Sequence, residues 1–95
     1  MLLIPKKHVD EVIDLNDGDY NQIMLLTKRI SLILKKHFKT PRAGIVIEGF
    51  GVGHAHIHIV PILNQGDLDP DNAKEVSLEE LKNIQKAIHD SFLVL

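Results

Sequence analysis

The stretch His54-Ala55-His56-Ile57-His58-Ile59-Val60 alternates without a break, the pattern of a strand with one apolar side. Successive side chains of a strand point to opposite faces, so His54, His56, His58 and Val60 share one face, and Ala55, Ile57 and Ile59 share the other. The β-branched run Ile45-Val46-Ile47, within Ala43 to Glu48, reads as a second strand, and Gly49-Phe50-Gly51-Val52-Gly53 lies between the two. Two strands joined by such a loop form an antiparallel hairpin. The sequence extends the second of them from His54 to Ile62.

The remaining segments supply what covers the hairpin. Met1 to Ile4 is a short apolar strand stopped by Pro5, with Lys6-Lys7-His8 following where the chain leaves the core. Asn16-Asp17-Gly18-Asp19 is turn and cap chemistry. From Tyr20 the apolar positions Ile23, Leu26, Ile30 and Ile33 recur at helical spacing up to about Phe38. Met24, Leu25, Leu32 and Leu34 widen that helix's apolar surface beyond one stripe, which predicts cover on more than one side, by a sheet and by a second subunit. Asn64 to Ala73 is a polar loop in which Asp67, Asp69 and Asp71 read as turn residues. Ser77-Leu78-Glu79-Glu80 is a capping box, and Leu78, Leu81, Ile84, Ile88 and Phe92 make a final amphipathic helix. Residues 1–95 thus read as one α+β domain: a small antiparallel sheet, one long helix and a C-terminal helix.

Charge and composition narrow the function classes. A formal net charge of −2 provides no basic excess for a polynucleotide or an anionic membrane, whereas a small phosphorylated ligand needs only a few donors in a pocket. The chain has no cysteine, hence no disulfide and no thiolate metal ligand. With neither a signal-peptide layout nor an apolar run of about 20 residues, it reads as soluble and cytoplasmic.

The three alternate imidazoles span roughly 13 Å of strand. Crowding three groups that titrate near pH ~6.5 is unfavourable unless an anion or a metal sits over them. A polar, solvent-facing strand and a zinc site are the competing readings, and zinc would need a further ligand for tetrahedral coordination. A third is an interaction module that binds a nucleotide without turnover. Stoichiometric zinc after dialysis, or nucleotide affinity without product, would mark the second or the third. His8, His37 and His89 fall at a strand exit and on helices, where an ordinary surface role is expected, and Lys6-Lys7 reads as a solvated pair.

The run His54 through Val60 resembles the signature of the histidine-triad (HIT) family, His-x-His-x-His followed by two apolar residues. Leu2-Leu3-Ile4-Pro5-Lys6-Lys7-His8-Val9 resembles the family's strand-end motif, and Glu48-Gly49 and the final capped helix resemble its bacterial members, so the likeness runs from Leu2 to about Phe92. It implies a HIT-like fold, a purine nucleotide or nucleotide conjugate as ligand, and a homodimer. It also implies His56 as the nucleophile that attacks the α-phosphorus of an AMP or GMP derivative, forming a phosphohistidine that water resolves. His54 and His58 would orient His56, hold phosphate oxygens and help the leaving group depart, with no metal or cofactor required. The amides of Gly51 and Gly53 are candidate phosphate donors. Nucleoside phosphoramidates are the first expected substrates and dinucleoside polyphosphates the second.

Many members place Asn or Gln before the acidic-Gly pair and Gln-Ser or Gln-Thr shortly before the triad. This chain has Ile47 and Gly51-Val52-Gly53, so fewer phosphate contacts outside the triad are expected. Members also carry, upstream of the strand that begins here, a helix, further strands, an acidic residue for the ribose and a fourth histidine. The expectation is that residues 1–95 alone turn over conjugates feebly or not at all, and that about fifty upstream residues would restore activity.

Overall fold

The computed structural model describes residues 1–73 and 75–93, without the side chains of Phe92 and Leu93. The expected place of Phe92 on the last helix's apolar face therefore lies outside the described residues. In chain order the elements are β1 (Leu2–Leu3), a 3-10 turn (Val12–Asp14), α1 (Asp17–Phe38), β2 (Arg42–Val46), β3 (Ile57–Ile62), a second 3-10 turn (Pro70–Asn72) and α2 (Leu78–Leu93).

The sheet is three-stranded and antiparallel in the order β1-β3-β2, so the hairpin is as expected and β3 is central. Ile45 faces Ile59 and Val46 faces His58 across the hairpin, while Leu2 faces His58 on the other side. Both hairpin strands end earlier than the alternation suggests. The ladder on β3 begins at Ile57, leaving His54 in a bend and Ala55 and His56 ahead of the strand, and β2 ends at Val46, with Ile47 and Glu48 in the loop. For β3 the cause is on its β1 side: Pro5 has no amide to continue the ladder, so the chain bends away over Lys6 and Lys7. It returns at Val9, whose carbonyl accepts the Ala55 amide at 2.8 Å. That detour carries His8 back toward the triad.

The alternation holds in burial. Ala55, Ile57 and Ile59 are 3%, 0% and 0% exposed, and they join Val12, Leu15, Ile23, Ile30 and Leu34 in the core. Asn16 caps α1, its side-chain oxygen accepting the Asp19 amide at 2.8 Å, so the helix starts three residues before Tyr20. It ends at Lys39, whose φ of 54° is left-handed, the backbone form that closes many helices. The face of α1 against the sheet differs from the expected stripe. Ile23 and Ile30 are buried, but Leu26 and Ile33 are only half-buried, and Leu34 is among the most buried residues. Thr27 and Ser31 complete that face. Each hydroxyl donates to the carbonyl one turn back, Thr27 to Ile23 and Ser31 to Thr27, both at 2.7 Å, so small polar side chains are satisfied there and let helix and sheet approach. Leu25 and Leu32, expected to be covered, stay exposed on this single chain.

α2 lies on α1. Its cap is present as expected, with the Glu80 amide donating to the Ser77 hydroxyl at 3.1 Å. Ile84 packs on the core's edge, whereas Leu78 and Leu81 remain exposed. His37 on α1 meets Glu80 on α2 at 3.4 Å, and Lys7 meets Asp19 at 3.6 Å. The loop aspartates behave as turn residues: Asp67 accepts the Leu63 and Asn64 amides, and Asp69 accepts that of Asp71. Among the described residues no helix is long and apolar enough to cross a membrane.

Candidate active site

Ile57 and Ile59 anchor the triad from behind, because their burial turns His56 and His58 to the opposite side. The His56 and His58 rings meet edge to face with centroids 5.0 Å apart. His56 Nδ1 lies 2.9 Å from the carbonyl oxygen of His54. A carbonyl only accepts, so Nδ1 carries the proton and the lone pair of a neutral His56 ring is on Nε2. This is the tautomer a nucleophilic imidazole needs, fixed by a main-chain atom two residues away.

His54 is held differently. Its Nε2 donates to the carbonyl of Pro5 at 3.1 Å, and its Nδ1 lies 3.0 Å from Nδ1 of His8. The His8 and His54 rings are edge to face, 4.7 Å between centroids. Both ring nitrogens of His54 thus have partners inside the protein, while the exposed His58 ring makes no hydrogen bond among the described residues.

His8, expected to be an ordinary surface residue, is therefore part of the triad's surroundings. The signal for it in the sequence is Pro5, which ends β1 and opens the detour; in this chain that detour returns at Val9 beside Ala55 and sets His8 against His54. His37 and His89 lie away from the triad, next to Glu80 and Asp90 respectively.

A cleft of about 310 Å³ opens beside His56, bounded by Asp10, Glu11, Glu48, Gly49 and Phe50 and floored by Val12 and Ala55. Of the three triad histidines only His56 lines it. Gly51 and Gly53 do not, and both sit in open loop with nothing within 4 Å of where a Cβ would be. Three carboxylates with no cationic neighbour in the lining suit hydroxyl or other donor groups, and they repel phosphate. Among the described residues no three His, Asp or Glu side chains converge as a metal site. A shared zinc would also have to displace the partners of His54.

The HIT domain family matches this chain over residues 1–65. A bis(5'-adenosyl)-triphosphatase of Dictyostelium discoideum is 33% identical over 66 residues, 64% of this chain and 44% of that protein. The nitrilase and fragile histidine triad fusion protein of Caenorhabditis elegans is 30% identical over 66 residues, 64% of this chain but 15% of its own length. The chain thus spans less than half of either relative. Among solved structures, a histidine-triad protein of Sinorhizobium meliloti superposes with a TM-score of 0.79 at 21% identity, covering 95% of this chain and 72% of that one. One of Bradyrhizobium japonicum gives 0.74 at 26%, with the same coverage. The two agree with the α+β arrangement described above. A matched domain, spanning the strand motif, the long helix and the whole triad, places this chain in the HIT domain family.

Proposed function

We propose that the chain is a nucleotide-binding hydrolase or transferase that cleaves AMP or GMP conjugates at the α-phosphorus, with His56 as nucleophile. The observation that carries this is the bond from His56 Nδ1 to the His54 carbonyl, which leaves the Nε2 lone pair available on a ring that lines the cleft. Attack by Nε2 forms an N–P bond as the bond from phosphorus to the leaving group breaks, and water then cleaves the N–P bond to release the nucleotide. His58, beside His56 and unpartnered among the described residues, is the group to protonate the departing amine or oxygen. His54, with both nitrogens engaged, contributes position rather than a phosphate contact. The carboxylates of the cleft fit the hydroxyl-bearing part of a nucleoside, and the phosphate then lies at the histidine end.

Incubation with a panel of AMP conjugates, phosphoramidates and dinucleoside polyphosphates, followed by release of AMP, tests the reading. Release of AMP from at least one of them is expected, and none at millimolar substrate with a protein that still binds nucleotide would leave only a binding module. Dinucleoside polyphosphate hydrolysis is the second reading, favoured by the relative from Dictyostelium discoideum whose name specifies bis(5'-adenosyl) triphosphate. Faster release from phosphoramidates than from polyphosphates separates the two.

A homodimer is proposed on the exposed face of α1. Leu25 and Leu32 are 49% and 57% exposed, seven residues and two helical turns apart, so they form one apolar stripe. Light scattering at micromolar concentration is expected to give twice the chain mass, and Leu32→Asp to shift it toward the monomer. A monomer mass for the unaltered protein would overturn the dimer.

A further inference from the structure

We propose that His8 is a positioning residue for the triad: it sets the tautomer and orientation of the His54 ring, and through residue 54 supports His56. The inference rests on the catalytic reading given above. It is carried by three contacts whose proton assignment follows from what each partner is able to do.

The carbonyl of Pro5 only accepts, so the proton facing it belongs to His54 Nε2, at 3.1 Å. With His54 neutral, its Nδ1 is then a lone pair. His8 Nδ1, 3.0 Å away, has to supply the proton between the two rings, which leaves the His8 lone pair on Nε2. The direction reverses only if His54 takes on a second proton, and the two Nδ1 atoms never carry a proton each while in contact. The pair therefore holds one proton between its rings, and His54 is fixed as the Nε2–H tautomer by partners on both sides. The carbonyl of the same residue accepts the Nδ1–H of His56 at 2.9 Å, so the residue that His8 and Pro5 lock is also the one that orients the nucleophile.

Without His8, the His54 ring keeps one anchor. With one contact in place of two, the ring turns about its Cβ bond out of reach of the Pro5 carbonyl, and its tautomers then exchange. His8 is not among the residues that line the cleft, and its side chain lies on the exposed detour after Pro5, so replacing it leaves the buried core untouched.

The test is a pair of substitutions read in two ways. His8→Leu removes the donor, whereas His8→Asn keeps an N–H close to the place of His8 Nδ1. In nitrogen-15 NMR at about pH 8, above the ordinary imidazole range, unaltered protein should show His54 with a pyrrole-like Nε2 and a pyridine-like Nδ1. His8→Leu should replace this single pattern by averaged shifts, and lower kcat about five- to tenfold with KM nearly unchanged. His8→Asn should recover both the single tautomer and most of kcat. A His54 that is already a tautomer mixture in the unaltered protein overturns the proposal. So does a His8→Leu protein with unchanged spectrum and unchanged kcat. If the unaltered protein turns over no conjugate, the catalytic reading fails on its own, and the His54 spectra still decide whether His8 sets that ring.

Discussion

Replacing His56 by alanine is expected to lower kcat for the best conjugate by on the order of 10⁴-fold or more, while nucleotide Kd changes by less than about tenfold. The asymmetry follows from where the atoms sit. His56 supplies the Nε2 lone pair, and no other triad ring supplies one from the cleft lining, because His54 is bonded at both nitrogens and His58 lies on the strand beyond. On the mechanism proposed above, removing the imidazole deletes the covalent intermediate and leaves only direct attack by water. The pocket survives, because its walls come from Asp10, Glu11, Glu48, Gly49 and Phe50 on other segments. The carbonyl of His54 loses a side-chain donor in a part-buried position, where water takes its place at small cost. Released nucleotide gives kcat, calorimetry gives Kd, and acid quenching with phosphohistidine detection should show an intermediate in the unaltered protein only. His37→Ala is the control, since its ring pairs with Glu80 between α1 and α2. Turnover lost equally in His37→Ala, or retained in His56→Ala, would overturn the assignment of the nucleophile.

The fold was legible where sequence periodicity and burial answer the same question. The alternation from His54 to Ile59 forecast which side of β3 is core, and Ala55, Ile57 and Ile59 are all buried. Asn16 and Ser77 announced both helix starts. The errors have physical causes. Periodicity counts Leu26 and Ile33 as core because they are apolar, but contact with the sheet selects by size and direction, and Thr27 and Ser31 are narrow enough to sit beneath it with their hydroxyls turned to their own helix. Strand ends depend on the partner strand, so the effect of Pro5 on β1 cut short the expected strand at His54.

The site was legible in its covalent sense only. Spacing announced three imidazoles on one side, but not that the outer ring of His54 is spent on protein partners, because those partners, Pro5 and His8, are more than forty residues away in sequence. Gly51 and Gly53 were attractive as amide donors because glycine loops often bind anions. Gly49 lines the cleft beside His56, whereas Gly51 and Gly53 lie outside that lining, so any amide they offer to phosphate would act at the triad's edge and not inside the cleft.

Ile59→Ala is expected to cost about 2–5 kcal/mol of folding stability, a large part of the ~5–15 kcal/mol that a small domain has in total. Ile59 is the buried centre of the central strand: it is 0% exposed, faces Ile45 of β2, and donates its amide to the carbonyl of Met1 beyond β1. Truncation to alanine removes three carbons from the core cluster that Ile59 shares with Leu34, Ile30 and Ile23 of α1, and leaves a void that a sheet bonded on both sides cannot easily close. The main-chain bonds survive, so the loss is in packing and not in pairing. The effect reaches the site because the apolar face of β3 is what points His56 and His58 away from the core, and a strand free to slide or twist no longer presents them together. Urea unfolding followed by circular dichroism is the measurement, with the midpoint falling and the slope unchanged. Phe50→Ala is the comparison: Phe50 is 99% exposed, so despite its larger side chain the change should stay within about 0.5 kcal/mol. A loss below about 1 kcal/mol for Ile59→Ala, or equal losses for both, would mean that the core of this domain does not lie between β3 and α1.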